Sequence, residues 1–208
     1  MGFGRTPVGR REPGVESRRH RRLRRGRRGG GAARRAHRRP PRASHRATAM
    51  NLAVEAVGPE DWRRWRELRL RALAEDSAAF ARSAHGWIRG GDTEERWRER
   101  LAGDDRFFIA SDRGVDLGIV GASPRGDGSV ELISMWVAGT RRGRGIGRIL
   151  VQRVLEVAQT RPVVLRVMAD NASAVGFYLA MGFAFDGAVP DEEGTLTMRR
   201  PAPGLGSG

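Results

Sequence analysis

The stretch from Glu131 to Leu150, ELISMWVAGTRRGRGIGRIL, decides how this chain is read. Glu131–Val137 completes an apolar strand signal that opens at Ser129. Gly143, Gly145 and Gly147 then alternate, and a helix follows at once. Its apolar residues Ile146, Ile149, Leu150, Val154 and Val157 recur at helical spacing. Alternating glycines let a backbone turn sharply and approach a ligand closely. The first turn of a helix leaves free N–H groups pointing outward, and its dipole favours an anion. Strand, glycine turn and helix together predict a cradle for a diphosphate.

Working outward, the spacing predicts an α/β domain over residues 50–200 with a mixed sheet. Leu52–Val57 reads as a strand. Pro59 opens a helix with Glu60 and Asp61 in its first turn, and Trp62, Trp65, Leu68 and Ala72 form an apolar stripe expected in the core. A second helical region covers about Ser77 to Ala102, broken near Gly90-Gly91. Arg106–Ser111 and Asp116–Ser123 are strands joined by a turn at Asp112-Arg113-Gly114. After the cradle, a helix runs to about Thr160, where Pro162 ends it. Val163–Met168 is a buried strand and Ala172–Met181 a helix. Phe183–Asp186 and Thr195–Arg199 close the domain.

Residues 1–49 are different in kind. Seventeen arginines against Glu12 and Glu16 account for the whole net charge of +15, and the remaining 159 residues are balanced. Large apolar side chains are almost lacking, so this tail is expected to be disordered. Three readings stand: an organelle leader without an apolar face, an over-extended reading frame with translation starting at Met50, and a nucleic-acid-binding arm. The abrupt change of composition at Met50 favours the second. Residues 201–208 read as a flexible end. Every basic residue is arginine, which discounts arginine abundance as a signal. The chain has no cysteine, excluding disulfides, thiolate metal sites and a cysteine nucleophile. No apolar run approaches the length of a membrane span. Together these predict a cytoplasmic protein with no membrane partner and no metal, a monomer or homodimer. His85, the only histidine outside the tail, has no ligand-spaced partner.

Three phosphate-binding patterns compete for the cradle. A Walker loop needs a lysine, and the chain has none. The dinucleotide fingerprint fails because Arg148 stands where its third glycine belongs, and Asp170 is slightly too distant to hold a ribose. The coenzyme A pyrophosphate loop, Arg/Gln-x-x-Gly-x-Gly/Ala, is matched by Arg142, Gly145 and Gly147. A second element, Asn171-Ala172-Ser173-Ala174 followed by Phe177-Tyr178 and Met181-Gly182-Phe183, resembles an N-x-x-A-x-x-x-Y-x-x-x-G-F helix. In this order the two motifs resemble the GNAT superfamily of N-acetyltransferases, over essentially residues 50–200. The resemblance implies a mixed, mostly antiparallel sheet flanked by helices. It implies acetyl-CoA as cosubstrate, held by Trp136, Val137, Arg142, Gly143, Arg144, Gly145, Ile146, Gly147 and Asn171.

Acetylating an amine requires a free amine, a polarised thioester carbonyl and a protonated leaving thiol. The resemblance implies that Tyr178, the chain's only tyrosine, protonates the thiolate. It implies a backbone N–H near Val137, at a bulge where the strand splays from the next, for the carbonyl. Glu131, six residues before Val137, has the spacing of the general base in histone-type members. It lies roughly 20 Å along the strand, so it would act through water; an ordinary solvated strand-start glutamate is the competing reading. Members acting on ribosomal-protein N-termini often carry Leu-Glu-Val in the following strand, where this chain has Leu165-Arg166-Val167. With no cysteine, transfer would be direct.

The expected substrate is an amine of a small molecule or protein, shaped by Ser77–Gly91, including Phe80 and Trp87, and by Gly187–Gly194 with Asp191-Glu192-Glu193. A degenerate acyl-CoA sensor, or a nucleic-acid-associated protein acting through the tail, are the other classes the residues allow.

Overall fold

The computed structural model describes residues 50–77, 91–187 and 189–204. The Arg-rich tail, the extreme C-terminus, the helical reading between 78 and 90, Phe80, His85 and Trp87 lie outside these described residues. Among the described residues are seven strands in one sheet, ordered β1-β2-β3-β4-β5-β7-β6. They are β1 Leu52–Val57, β2 Arg106–Asp112, β3 Val115–Pro124, β4 Val130–Val137, β5 Val163–Met168, β6 Ala184–Phe185 and β7 Thr195–Arg200. Four helices flank them: α1 Trp62–Glu75, α2 Glu94–Ala102, α3 Ile146–Ala158 and α4 Ala172–Ala180. Every neighbouring pair is antiparallel except β4 with β5. A parallel pair needs a crossover, and α3 supplies it.

The strand period of two sorts the core onto both faces of the sheet. Phe107 and Ile109 of β2 meet α1 and α2, where Trp65, Leu68, Ala72, Trp97 and Leu101 are buried. Trp65 and Phe107 pack with ring centroids 4.7 Å apart. Phe108 and Ala110 face the other side, onto α3 and α4. Each fully buried Leu, Trp or Phe stabilises by roughly 1.5–3 kcal/mol. Pro59 starts a 3-10 turn before α1, where Asp61 Oδ2 accepts from the Gly58 N–H at 2.9 Å. The stripe on α1 also includes a charge: Arg69 is 4% exposed. Burial, with nearby Arg100, pulls its guanidinium down to about 10.

Three local expectations shift. The deep positions of α3 are Ile146, Leu150, Val151, Val154 and Ala158, while Ile149 and Val157 are half-buried. That helix stops at Ala158, with Gln159 at φ +54° and its N–H on Leu155 O and Glu156 O. Pro162 instead leads into β5, its carbonyl accepting from the Val130 N–H at 2.9 Å. The closing strand β6 shrinks to two residues.

Candidate active site

Two irregularities in β4 create the site. The first is a bulge. Ile119 pairs with Trp136 and Gly121 with Ile133, so Ser134 and Met135 both stand opposite Val120. Ser134 takes φ +55° to make the turn. A bulge leaves backbone unpaired and re-aims the chain. The expected bulge thus lies two to three residues before Val137. Two β3 glycines make room for it: a Cβ on Gly118 would lie 2.7 Å from Trp136 O, and one on Gly121 would lie 2.8 Å from Ile133 Cγ1.

The second is a fork. β4 and β5 pair only at Val130–Val163 and Glu131–Val164. Beyond that, β4 is bonded to β3 on one side and β5 to β7 on the other. The facing edges of β4 and β5 are therefore not joined to each other, and their N–H and C=O groups border a gap.

The glycine loop sits at the end of β4. A 3-10 turn, Gly139–Arg141, follows Ala138. Gly143 and Gly145 stand at φ +73° and +83°, a region that side chains rarely adopt. Gly145 caps α3, whose first backbone bond runs from Ile149 N to Gly145 O at 3.2 Å. The N–H groups of Ile146, Gly147 and Arg148 are thus left to face outward. No atom approaches within 4 Å of a Cβ built on Gly143 or Gly145, so the loop's surface is open. The arrangement fits a diphosphate: a positive helix end, successive free donors and no side-chain obstruction. The Ile146 side chain itself is core, 1% exposed; only its backbone faces the cradle.

Gly147 brings the remaining element close. A Cβ there would lie 3.3 Å from both Met135 Cε of the bulge and Phe177 Cζ of α4. The next residue on α4 is Tyr178, 7% exposed, with its ring 5.2 Å from that of Phe177 and 5.7 Å from that of Phe183. Burial pushes its phenol well above the usual tyrosine range, so at neutral pH it carries its proton. Among the described residues its hydroxyl makes no hydrogen bond.

Other predicted residues land differently. Asn171 is the N-cap of α4, its Oδ1 accepting from the Ala174 N–H at 3.1 Å; that oxygen is taken. Trp136 is buried on the α1–α2 face, opposite Tyr178, with the Arg71 guanidinium 5.1 Å above its ring. Arg142 turns back from the cradle. Its Nε donates to Val137 O at 3.0 Å and its Nη2 pairs with Asp76. Arg144 is exposed.

Glu131 lies at the vertex of the fork. Its Oε2 accepts from Arg125 at 2.5 Å and its Oε1 from Arg166 of β5 at 3.2 Å. Each oxygen thus accepts from one guanidinium and keeps a lone pair through which a base role would act. Sequence reading missed these partners, since Arg166 is 35 residues away and Asp76 lies 66 from Arg142. Asp191 of the acidic turn spends Oδ1 on the N–H groups of Glu193 and Thr195.

The family model for the Acetyltransferase (GNAT) family matches residues 62–183, from the start of α1 to the end of the Met181-Gly182-Phe183 turn. The mouse (Mus musculus) N-acetyltransferase 8F1 is 35% identical over 85 residues, covering 37% of this chain and 38% of the relative. Mouse probable N-acetyltransferase family 8 member 5 is 31% identical over 100 residues, 44% of each. The chain thus spans less than half the length of either curated relative. Among solved structures, the PaiA N-acetyltransferase of Thermoplasma acidophilum in complex with coenzyme A superposes with TM-score 0.57 at 17% identity. That match covers 73% of this chain and 99% of the other. A spermidine N-acetyltransferase from Vibrio cholerae, in complex with coenzyme A and spermine, gives 0.54 at 20% identity, over 71% and 92%. At these identities the structures testify to the fold. Bulge, fork, glycine loop and α4 motif all fall where the family model lies, and the chain belongs to the acetyltransferase (GNAT) family.

Proposed function

We propose that the domain at residues 50–200 is an acetyl-CoA-dependent N-acetyltransferase, passing the acetyl group directly to a primary amine of a small molecule or protein. The observation that carries this reading is the continuity of the site. Met135 of the bulge and Phe177 of α4 both approach Gly147 at the start of α3, so β4 and α4 meet at the loop's free N–H groups, and Tyr178 is the next residue along α4. A diphosphate on the loop would leave an extended amide-bearing arm to run along the fork, where strand edges offer donors and acceptors.

Within this reading, Tyr178 donates to the thiolate as the carbon–sulfur bond breaks. Burial keeps its phenol protonated at neutral pH, so the proton is on the oxygen when the thiolate forms. Unpaired backbone at the Ser134–Met135 bulge is our candidate for polarising the carbonyl. Glu131, flanked by Arg125 and Arg166, takes the amine's proton through water. A lysine-like amine with pKa of about 10 is almost wholly protonated at neutral pH, so a proton must leave before it can attack. The neighbours' substrates, a polyamine among them, illustrate amines that this fold handles and do not select one for this chain.

The test is calorimetry of the full chain with acetyl-CoA, followed by turnover against a panel of small amines and peptides. Absence of binding would overturn the reading. Binding without free thiol release from any amine would leave an acyl-CoA sensor instead. Tyr178→Phe should keep coenzyme affinity and lose turnover by about 10²-fold or more; unchanged turnover removes the acid role.

A further inference from the structure

The loop that forms the cradle is held from two sides. One is α3, through Gly145. The other is the C-terminal end of α1, from which Arg71, Glu75 and the capping residue Asp76 reach the corner formed by residues 136–142. Arg71 stacks over the Trp136 ring and donates through Nε to Glu75 Oε1 at 2.8 Å. Glu75 Oε2 accepts from the Gly139 N–H at 3.4 Å. Asp76 pairs with Arg142, whose Nε also closes onto Val137 O at 3.0 Å.

Arg142 is the arginine of the coenzyme A loop pattern, and a natural assignment would aim it at phosphate. Its geometry says otherwise. The guanidinium spans from the end of β4 to the end of α1, and its charge is met by the Asp76 carboxylate. A phosphate drawing Arg142 away would break both contacts and leave Asp76 as a bare negative charge beside the cradle. We propose that Asp76 is a positioning residue for coenzyme A: through Arg142 it fixes the loop so that the backbone N–H groups, not the Arg142 side chain, meet the diphosphate. This rests on the coenzyme reading above.

The two roles for Arg142 predict opposite signs at Asp76. If Arg142 were a phosphate ligand restrained by Asp76, removing the carboxylate would free a cation and tighten binding. If Asp76 holds the loop, its removal weakens binding although a negative charge has been taken from an anion's site.

The experiment is a double-mutant cycle in the full chain, with coenzyme A affinity read by calorimetry. Asp76→Ala and Arg142→Ala should each weaken binding by about 5- to 30-fold, and the double variant should be no weaker than the worse single. Tighter or unchanged binding in Asp76→Ala, or fully additive losses, would overturn the proposal. Asp76→Asn, which keeps the side chain's size, serves if the alanine variant fails to fold. Amide hydrogen exchange of residues 139–145, measured without coenzyme, separates this proposal from the coenzyme reading. Exchange should quicken in Asp76→Asn even if the wild-type chain binds no coenzyme, and unchanged exchange overturns the positioning role on its own.

Discussion

Ile133 and Trp136 lie three residues apart on β4 yet pack on the same face of the sheet, against α1 and α2. Strict alternation would put them on opposite faces. The extra residue between them is accommodated by Ser134 at φ +55°, and that one residue re-aims the backbone toward the gap beside β5. Ser134→Gly should therefore hold stability within about 1 kcal/mol, because strain is relieved while chain entropy rises. Ser134→Val should lose about 1–3 kcal/mol, since a β-branched residue resists positive φ. Urea denaturation of both variants checks the pair.

Gly118 of β3 pairs with Val137, just beyond the bulge. A Cβ at 2.7 Å from Trp136 O meets backbone that cannot step aside. Gly118→Ala is expected to cost about 2–4 kcal/mol. Gly126→Ala, where a Cβ would meet nothing within 4 Å, should cost under about 1 kcal/mol. Thermal melts of the two variants give the comparison directly.

Gly145→Ala tests the loop. Nothing blocks a methyl group there, so the cost is conformational alone, about 1–2 kcal/mol at φ +83°. Because Gly145 shapes the cradle, coenzyme affinity should fall by about tenfold or more. The melting temperature should drop only by a few degrees.

Tyr178 offers a titration free of background, as the chain has no other tyrosine. Its folded pKa is raised above the unfolded value of about 10. The folded state therefore holds this proton more tightly than the unfolded state does. The resulting stability is complete below pH 10 and lost as pH rises toward the folded value. Ultraviolet titration should show no tyrosinate in the folded protein up to pH 10, and its appearance above that should coincide with unfolding seen by circular dichroism. Tyrosinate absorbance forming near pH 10 in folded protein would contradict the burial.

Asn171→Ala removes the cap of α4 and should cost about 1 kcal/mol, while Asn171→Ser should retain most of it. If Asn171 also meets the coenzyme, Asn171→Ser will weaken binding while the melting temperature stays near wild type.

The parts of this molecule that were legible in the sequence are those whose signals are local. The stripe Trp62-Trp65-Leu68-Ala72 announced a helix face that is buried at Trp65, Leu68 and Ala72 and partly buried at Trp62, and the strand–glycine–helix run at 131–150 announced a glycine loop before a helix. Ser134 gave no sign of a bulge: it is neither glycine nor asparagine, and its neighbours suit an ordinary strand. Asp76 with Arg142, and Glu131 with Arg125 and Arg166, depend on how distant segments meet, which no spacing within a motif encodes. Arg69 lies on the buried face of α1, a place that the apolar stripe does not announce. The end of α3 was misplaced because Pro162 is a visible stop signal, whereas the positive φ of Gln159 is not.

The fork has a thermodynamic consequence for the chain as a whole. β5, β6 and β7 join β1–β4 through only two backbone pairs, so α3 and its buried leucine and valines act as the strap between the two parts of the sheet. A ligand lying in the gap would supply the missing ladder and tie those parts together. Its binding energy would then count as folding energy, raising stability by RT ln(1 + [L]/Kd). Melting temperature would track ligand concentration, and the survival of the folded chain in a cell would follow the supply of that ligand.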